Sequence, residues 1–352
     1  MKMSLIIQSL SLLQVKKSAF ALLGVCCAGA GFTQTLPTMK IVQDPSSKKA
    51  DIFIEDELFT SLLYADSLKK AVLYPLNASG KITVTRGWPI APKDGDQVDH
   101  PHQIGVWFNY GDVNGADYWN NSTKIDTNAK PYGTIKINKI VSAKSGKGKA
   151  ELVTSSTWYN PKGRAMLEEL STYTFSVDQQ DRIVDRKVEL KALQDVLFKD
   201  SKEGLYGIRV ARDLEYPAAQ PVKVYTEKGV KSVVANEKLS GRYESSSGIT
   251  GEQVFGTRSA WLKLSGKIND RPVSIALIDH PQNVGYPGYW MARGYGLFAI
   301  NPLGAEAYTN GKEKLNYSLT KGKSVTFKYR LVVSNSLENS RIEQLSNSFK
   351  TQ

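Results

Sequence analysis

The 352-residue sequence predicts an all-β fold, a large antiparallel β-sandwich with one short C-terminal helix. Three observations lead there. Apolar and polar residues alternate at period 2 over short segments, as they do on half-buried strands. Turns rich in Gly, Asn, Asp and Lys separate those segments. A helical period appears only near the end, where Ile342, Leu345 and Phe349 share one face.

Taken in order, the first thirty residues stand apart. Lys16 and Lys17 precede an apolar run from Ala19 to Cys27, and Ala28-Gly29-Ala30 offers a small-x-small cleavage site. That order predicts a secretory signal peptide, a mature chain from near Gly31, and a periplasmic or secreted location. Val25 is too large to precede a lipoprotein cysteine. Both cysteines, Cys26 and Cys27, fall inside the signal. The mature chain is therefore expected to lack disulfides, a thiol nucleophile and cysteine-ligated metal. No later run reaches eighteen apolar residues, so no transmembrane segment is expected.

Residues 31–352 read as one β domain. Asp51–Glu55 and Leu58–Tyr64 form a hairpin pattern, Val72–Pro75 follows, and Lys81–Arg86 alternates until Gly87-Trp88-Pro89 breaks it. Thr134–Val141 and Ala150–Trp158 flank a Lys/Gly turn. Glu168–Ser176, Arg182–Lys191, Val222–Tyr225, Ala260–Leu264, Val273–Asp279, Tyr295–Asn301 and Ser324–Val333 continue the pattern. In Arg182–Lys191 the apolar residues Ile183, Val188 and Leu190 break parity, which calls for a bulge or a strand buried on both faces. Ser340 and Glu343 have capping-box spacing at the start of the helix.

The chain carries 46 Lys and Arg against 34 Asp and Glu; without Lys2, Lys16 and Lys17 its charge of +12 falls to +9. Lys48, Lys49, Lys144, Lys147, Lys149, Lys321 and Lys323 are scattered through turns and strand edges. They read as a solvated basic surface, or as attraction to an acidic glycan or the cell envelope. No clustered basic helix points to nucleic acid. There is also no G-x-S-x-G, P-loop or dinucleotide glycine phrase, so a nucleotide cofactor is not expected.

The candidate site lies in Val98–Asn121, which reads VDHPHQIGVWFNYGDVNGADYWNN. It interleaves His100 and His102 with acids and large rings, as a wet concave site needs. His280, the third and last histidine, recurs in a second Asp-His-Pro phrase. His100 and His102 are i and i+2 around Pro101, so an extended segment would turn both rings to one face. Asp99, Asp112 and Asp279 are candidates to orient an imidazole, or else turn caps. His100, His102, His280, Asp279 and Glu203 are the acid–base candidates. Arg86, Trp107, Tyr110, Asp112, Asn114, Trp119, Arg209, Tyr286, Trp290 and Arg293 are the binding candidates. Tyr289 joins the second ring cluster. A divalent metal on His100, His102 and His280 is an alternative.

Several phrases are similar to those of the PmoA-type family of exported bacterial proteins. They are Val84–Pro89, DHPHQIGVWFNYGDVNGADYW, Glu203–Ala211 and DHPQNVGYPGYWMARGYGLFAINPLG, within a likeness running from Leu58 to Arg330. Where that family reads Asp-His-Pro-His-His-Arg-Gly, this chain has Gln103 and Ile104. The oxygenase label attached to that family does not transfer, since membrane methane oxygenases are integral proteins. By analogy of length, strand pattern and paired histidines, the sandwich is expected to be of the galactose-mutarotase-like supersandwich type.

The expected function is an exported carbohydrate-active protein whose histidine and carboxylate move protons on a sugar ring or glycoside. The alternatives are a metal-binding protein or metalloenzyme and a non-catalytic glycan-binding module. The ligand expected in each sugar reading is a small molecule or glycan. His100, His102 and His280 are expected to meet in one pocket.

Overall fold

Period-2 alternation makes strands, and here the strands assemble into two large antiparallel sheets. In the computed structural model, residues 35–126, 128–234 and 236–352 are described. Residues 1–30, expected from sequence to be a signal peptide, lie outside the described residues. Residues Leu36–Gln352 form one compact unit.

The first sheet runs from edge to edge through Tyr289–Ala292, Leu297–Asn301, Gly204–Arg209, Val106–Tyr110 and Val72–Ala78. It continues through Glu57–Leu63, Lys49–Ile54, Thr38–Asp44 and Gly146–Lys147. Ile82–Thr83 pairs beside Val72–Ala78, and is the only part of Lys81–Arg86 that forms a strand. The second sheet orders Arg242–Ser245, Trp261–Ile268, Arg271–Asp279, Ser324–Ser334, Asp181–Ala192, Ala165–Asp178, Lys149–Tyr159 and Thr134–Lys144. A hairpin, Val222–Thr226 with Gly229–Val233, stands outside both.

Rings join the sheets across the core. Phe108 meets Phe327 with centroids 6.0 Å apart, and Tyr206 stacks on Tyr329 at 5.1 Å. Alternate residues of each strand supply this layer, including Tyr173, Phe175, Val184, Val188, Ile208, Phe298 and Ile300.

The strand Asp181–Ala192 settles the parity break predicted for it. Its pairing with both neighbours is regular, without a bulge. Val184, Val188 and Leu190 face the inter-sheet core, while Ile183 packs in a separate cluster beneath the C-terminal helix. The strand is buried on both faces at that end.

The helix Asn339–Lys350 covers the outer face of the second sheet, burying Ile342, Leu345 and Phe349 against Ile183, Trp261, Ala276, Ile278 and Val332. Each such side chain is worth about 1.5–3 kcal/mol of burial. The predicted capping box does not form. Glu338 is the N-cap without a side-chain bond, and Glu343 accepts from the Trp261 indole instead. Among the described residues no long helix covers the outer face of the first sheet; the one-turn helix Ala305–Tyr308 brings only Tyr308 to it. Trp107, Trp119, Met291, Leu297 and Ala299 form an apolar layer there, with Phe255, Tyr295 and Tyr308 packed against it.

Candidate functional site

The segment preceding the strand Val106–Tyr110 is shaped around one buried cation. Arg86 is fully buried, and its guanidinium donates to the carbonyls of Gln97, Asp99, His100 and Gln103 at 3.0–3.1 Å. It also donates to the Asp99 carboxylate. The backbone therefore curls where an extended run was expected. Gln103 N–H donates to the His100 carbonyl at 3.0 Å, closing a turn over Pro101. His100 has φ +39°, a left-handed conformation that costs a non-glycine residue free energy and tends to mark functional sites.

Asp99 is the hub of this turn. Its carboxylate accepts from Arg86, from Arg209 at 2.7 Å and from the His100 ring, with Nδ1 2.6 Å away. Burial opposes ionisation, but the His100 hydrogen bond and the two guanidiniums outweigh it. The carboxyl is held well below its usual range. With a carboxylate as its partner, Nδ1 is the nitrogen that donates, and Nε2 has no hydrogen-bond partner among the described residues. The His100 side chain is 42% exposed and stacks on Tyr295, centroids 4.8 Å apart and planes within 4°. Arg209 lies under the same tyrosine at 4.8 Å, and its other nitrogen donates to Gln103 Oε1 at 2.7 Å. Near Arg209, burial pushes the Glu215 carboxyl up to about 7.

His102 meets His100 edge-on at 5.7 Å but is itself buried. Burial and then the Lys70 charge keep its pKa well below the ordinary value, so it is neutral. Lys70, also buried, donates to the His102 carbonyl at 2.7 Å; burial pulls its ammonium down to about 7.

Glu203 immediately precedes the strand Gly204–Arg209. Gly111 packs against it, and a Cβ on that glycine would stand 2.7 Å from the Glu203 Cβ. Burial raises the Glu203 pKa, Lys202 opposes the shift, and the carboxyl lies within electrostatic reach of His100, Tyr295 and Tyr308. Half-buried rings belong to the same outer face. Tyr308 meets Phe255 at 5.6 Å and stacks on Tyr289 at 4.9 Å, while Arg293 sits 3.5 Å over Phe255.

The predicted site residues divide. His100, His102, Glu203, Arg86, Arg209 and Arg293 belong to this face, but the two arginines 86 and 209 serve as scaffold. Trp107 and Trp119 meet at 5.3 Å in its apolar floor, fully buried. Tyr110 points into the sandwich, where its hydroxyl donates to the Lys199 and Leu303 carbonyls. Trp290 is also in the core, bonded to Ser259. Asp112 accepts from Gly115 N–H and Asn114 bridges Asp195 and Leu197, so both build turns. Tyr286 lies in the loop whose carbonyls hold Arg258.

His280 does not join the site. It ends the strand Arg271–Asp279 of the second sheet and packs edge-on against Phe349 of the C-terminal helix at 5.0 Å. Its Nδ1 accepts from Gln282 N–H. Asp279 caps its own loop, accepting from His280 N–H, Asn283 and Gly288 N–H. The two Asp-His-Pro phrases therefore do different work, and the three-histidine metal set is not assembled. Among the described residues no three His, Cys, Asp or Glu side chains are placed to share a metal ion. Tyr295 and Lys70 were not foreseen. Tyr295 had one signal: its place between Gly294 and Gly296, where a ring in a tight turn is displayed.

A family model matches residues 49–347, most of the chain. The chain belongs to DUF6807, a family of unknown function. This corrects the resemblance drawn from the histidine phrases, because no PmoA-type family matches. In this DUF6807 chain, Gln103 holds Arg209, and Ile104 packs in the outer apolar layer. No curated protein matches.

Among solved structures, the GH36 α-galactosidase AgaB from Geobacillus stearothermophilus is similar at 7% identity and TM-score 0.34, over 85% of this chain and 41% of that one. The galactosidase domain of the α-galactosidase–sucrose kinase AgaSK gives 8% and 0.39, over 84% and 42%. A galactose mutarotase related enzyme from Lactobacillus acidophilus gives 11% and 0.29, over 85% and 99%. The DUF6807 chain spans about two fifths of the α-galactosidase chains. Among the described residues no helix is long and apolar enough to cross a membrane.

Proposed function

We propose that the outer face of the first sheet is an acid–base site for a sugar, with His100 and Glu203 as the proton-transfer pair. The observation that carries this reading is the Asp99–His100 contact. It orients the imidazole, leaves Nε2 without a partner among the described residues, and sets the ring flat on Tyr295. A carboxylate behind a histidine stabilises the imidazolium formed when Nε2 takes a proton.

In the proposed reaction, one of the pair takes the proton of an anomeric hydroxyl while the other gives a proton to the ring oxygen. The C1–ring-oxygen bond breaks, the aldehyde forms, and re-closure on the other face returns both protons. Glu203 suits this exchange because burial raises its pKa, which favours a carboxyl that can hold the proton it exchanges. Tyr295, Phe255 and Tyr308 supply apolar ring surface of the kind that packs on sugar C–H faces. The N-terminal segment supports export of the chain to where such sugars are met.

The test is proton-exchange NMR of anomer interconversion for a panel of free aldoses, with wild type, His100→Gln and Glu203→Gln. The reading expects a rate above the spontaneous one that both substitutions abolish. Sugar binding that survives both substitutions without any rate enhancement would instead favour a glycan-binding module.

A further inference from the structure

Part of the chain's surplus of positive charge faces one cleft. A cleft of about 590 Å³ opens between the strand Ile82–Thr83, the loop 93–96, the segment 211–213, the hairpin 222–233 and the turn 268–271. It shares no lining residue with the His100 face. Its size lies in the range of ligand pockets.

Six cations line it: Lys81, Lys93, Arg212, Lys231, Lys238 and Arg271, against Asp94, Asp96, Asp213 and Glu237. The acids are unequal in what they offer a ligand. One oxygen of the Asp96 carboxylate accepts three backbone N–H groups, from Gly87, Trp88 and Lys93. Asp213 is half-buried, and burial raises its pKa. The cations are less committed. Arg271 donates to the Gly80 carbonyl and Arg212 pairs with Glu215. The side chains of Lys81, Lys93, Lys231 and Lys238 have no carboxylate within 4 Å among the described residues, and all four are exposed. Unpaired ammonium groups converging on one cleft from four chain segments make a positive potential that water screens less than on an open surface.

We infer that this cleft is a second binding site, for an anionic oligosaccharide bearing carboxylates or sulfates. Ammonium groups on flexible stems suit spaced anionic groups on a chain, where a single buried anion would call for a rigid bidentate fork. Nothing in this inference depends on His100 or Glu203.

The experiment measures fluorescence anisotropy with three labelled hexasaccharides: sulfated, carboxylated and uncharged. Three proteins are compared: wild type, Lys93→Glu/Lys231→Glu/Lys238→Glu in the cleft, and Lys139→Glu/Lys147→Glu/Lys149→Glu on strands that do not line it. Both triple variants change exposed residues and the net charge equally, and thermal unfolding checks that each is folded. The inference expects at least one anionic probe to bind wild type. The cleft variant should weaken that binding at least about tenfold and the other variant less than about twofold, with affinity falling steeply between 0.05 and 0.5 M salt. Equal loss in the two variants would mean general charge attraction and overturn it. So would equal binding of the uncharged probe, or no binding of either anionic probe.

Discussion

Replacing Asp99 by Asn probes the charge balance on which the candidate site rests. The change keeps one carbonyl acceptor and the side-chain shape but removes the anion shared by Arg86 and Arg209, both fully buried. Removing one partner of a buried pair costs about 3–5 kcal/mol, because an uncompensated charge stays behind. Glu215 remains 3.7 Å from Arg209, so the lower end, about 3 kcal/mol, is expected. Unfolding entropy of about 2.1 cal/mol/K per residue over Leu36–Gln352 gives about 0.7 kcal/mol/K, and hence a fall in Tm of about 4–5 °C. The pH dependence has a definite sign. The folded Asp99 pKa is depressed, so its contribution is present above the unfolded value of about 3.9 and is lost as pH falls through the folded one. The variant should lack that acid-side loss. Thermal unfolding by circular dichroism at pH 7, with Asp112→Asn as the turn-cap control, decides it. A Tm for Asp99→Asn within 1 °C of wild type would refute the clamp.

His100→Gln should leave Tm within about 1 °C, since an exposed ring contributes little to stability, while lowering any sugar-interconverting rate at least about a hundredfold. His280→Ala should do the reverse, costing about 2 kcal/mol of packing under the C-terminal helix and leaving that rate unchanged; a loss of rate without a loss of stability would return His280 to the site. For Lys70, with a folded pKa of about 7 against about 10.4 unfolded, wild-type stability should rise with pH across that window. Chemical denaturation of Lys70→Met over pH 7–10 should lack this rise, and parallel slopes would show that Lys70 stays charged. N-terminal sequencing of the exported protein should begin near Gly31; an intact Met1 would exclude cleavage.

The strands were legible because one buried face imposes period 2 on them, and even the parity break at Ile183 carried its explanation in the two-faced burial it called for. The Asp99–His100 pair was legible as a phrase rich in titratable groups. The failure came from that phrase's repetition. Asp-His-Pro says how the local backbone is built, but not what the carboxylate faces. Asp99 faces Arg86 from just upstream of its loop and Arg209 from a distant strand, whereas Asp279 faces the N–H groups of its own loop. Only the sheet order, which puts one phrase beside the first sheet and the other in the second, separates them. Ring placement failed for a related reason. Tyr110 and Trp107 lie on opposite faces of one strand whose residues are all buried, so alternation gave no indication which was inside. The capping box failed because the helix starts two residues early, with Glu338 as N-cap and Ser340 inside it, and because the Trp261 indole took the Glu343 carboxylate.

Arg86 grips its loop almost entirely by main-chain oxygens, four carbonyls to one side chain. Conformation and chemical equipment are therefore specified by different atoms. A substitution at position 100 or 102 would leave the carbonyl cage intact, so the curl would persist while the groups it displays were exchanged. Such a loop is open to divergence: a chain keeping only Arg86 and Asp99 could present another acid, an amide or an apolar wall at the same spot without refolding. The same property makes it a graft point for engineering, where new chemistry can be tried one side chain at a time.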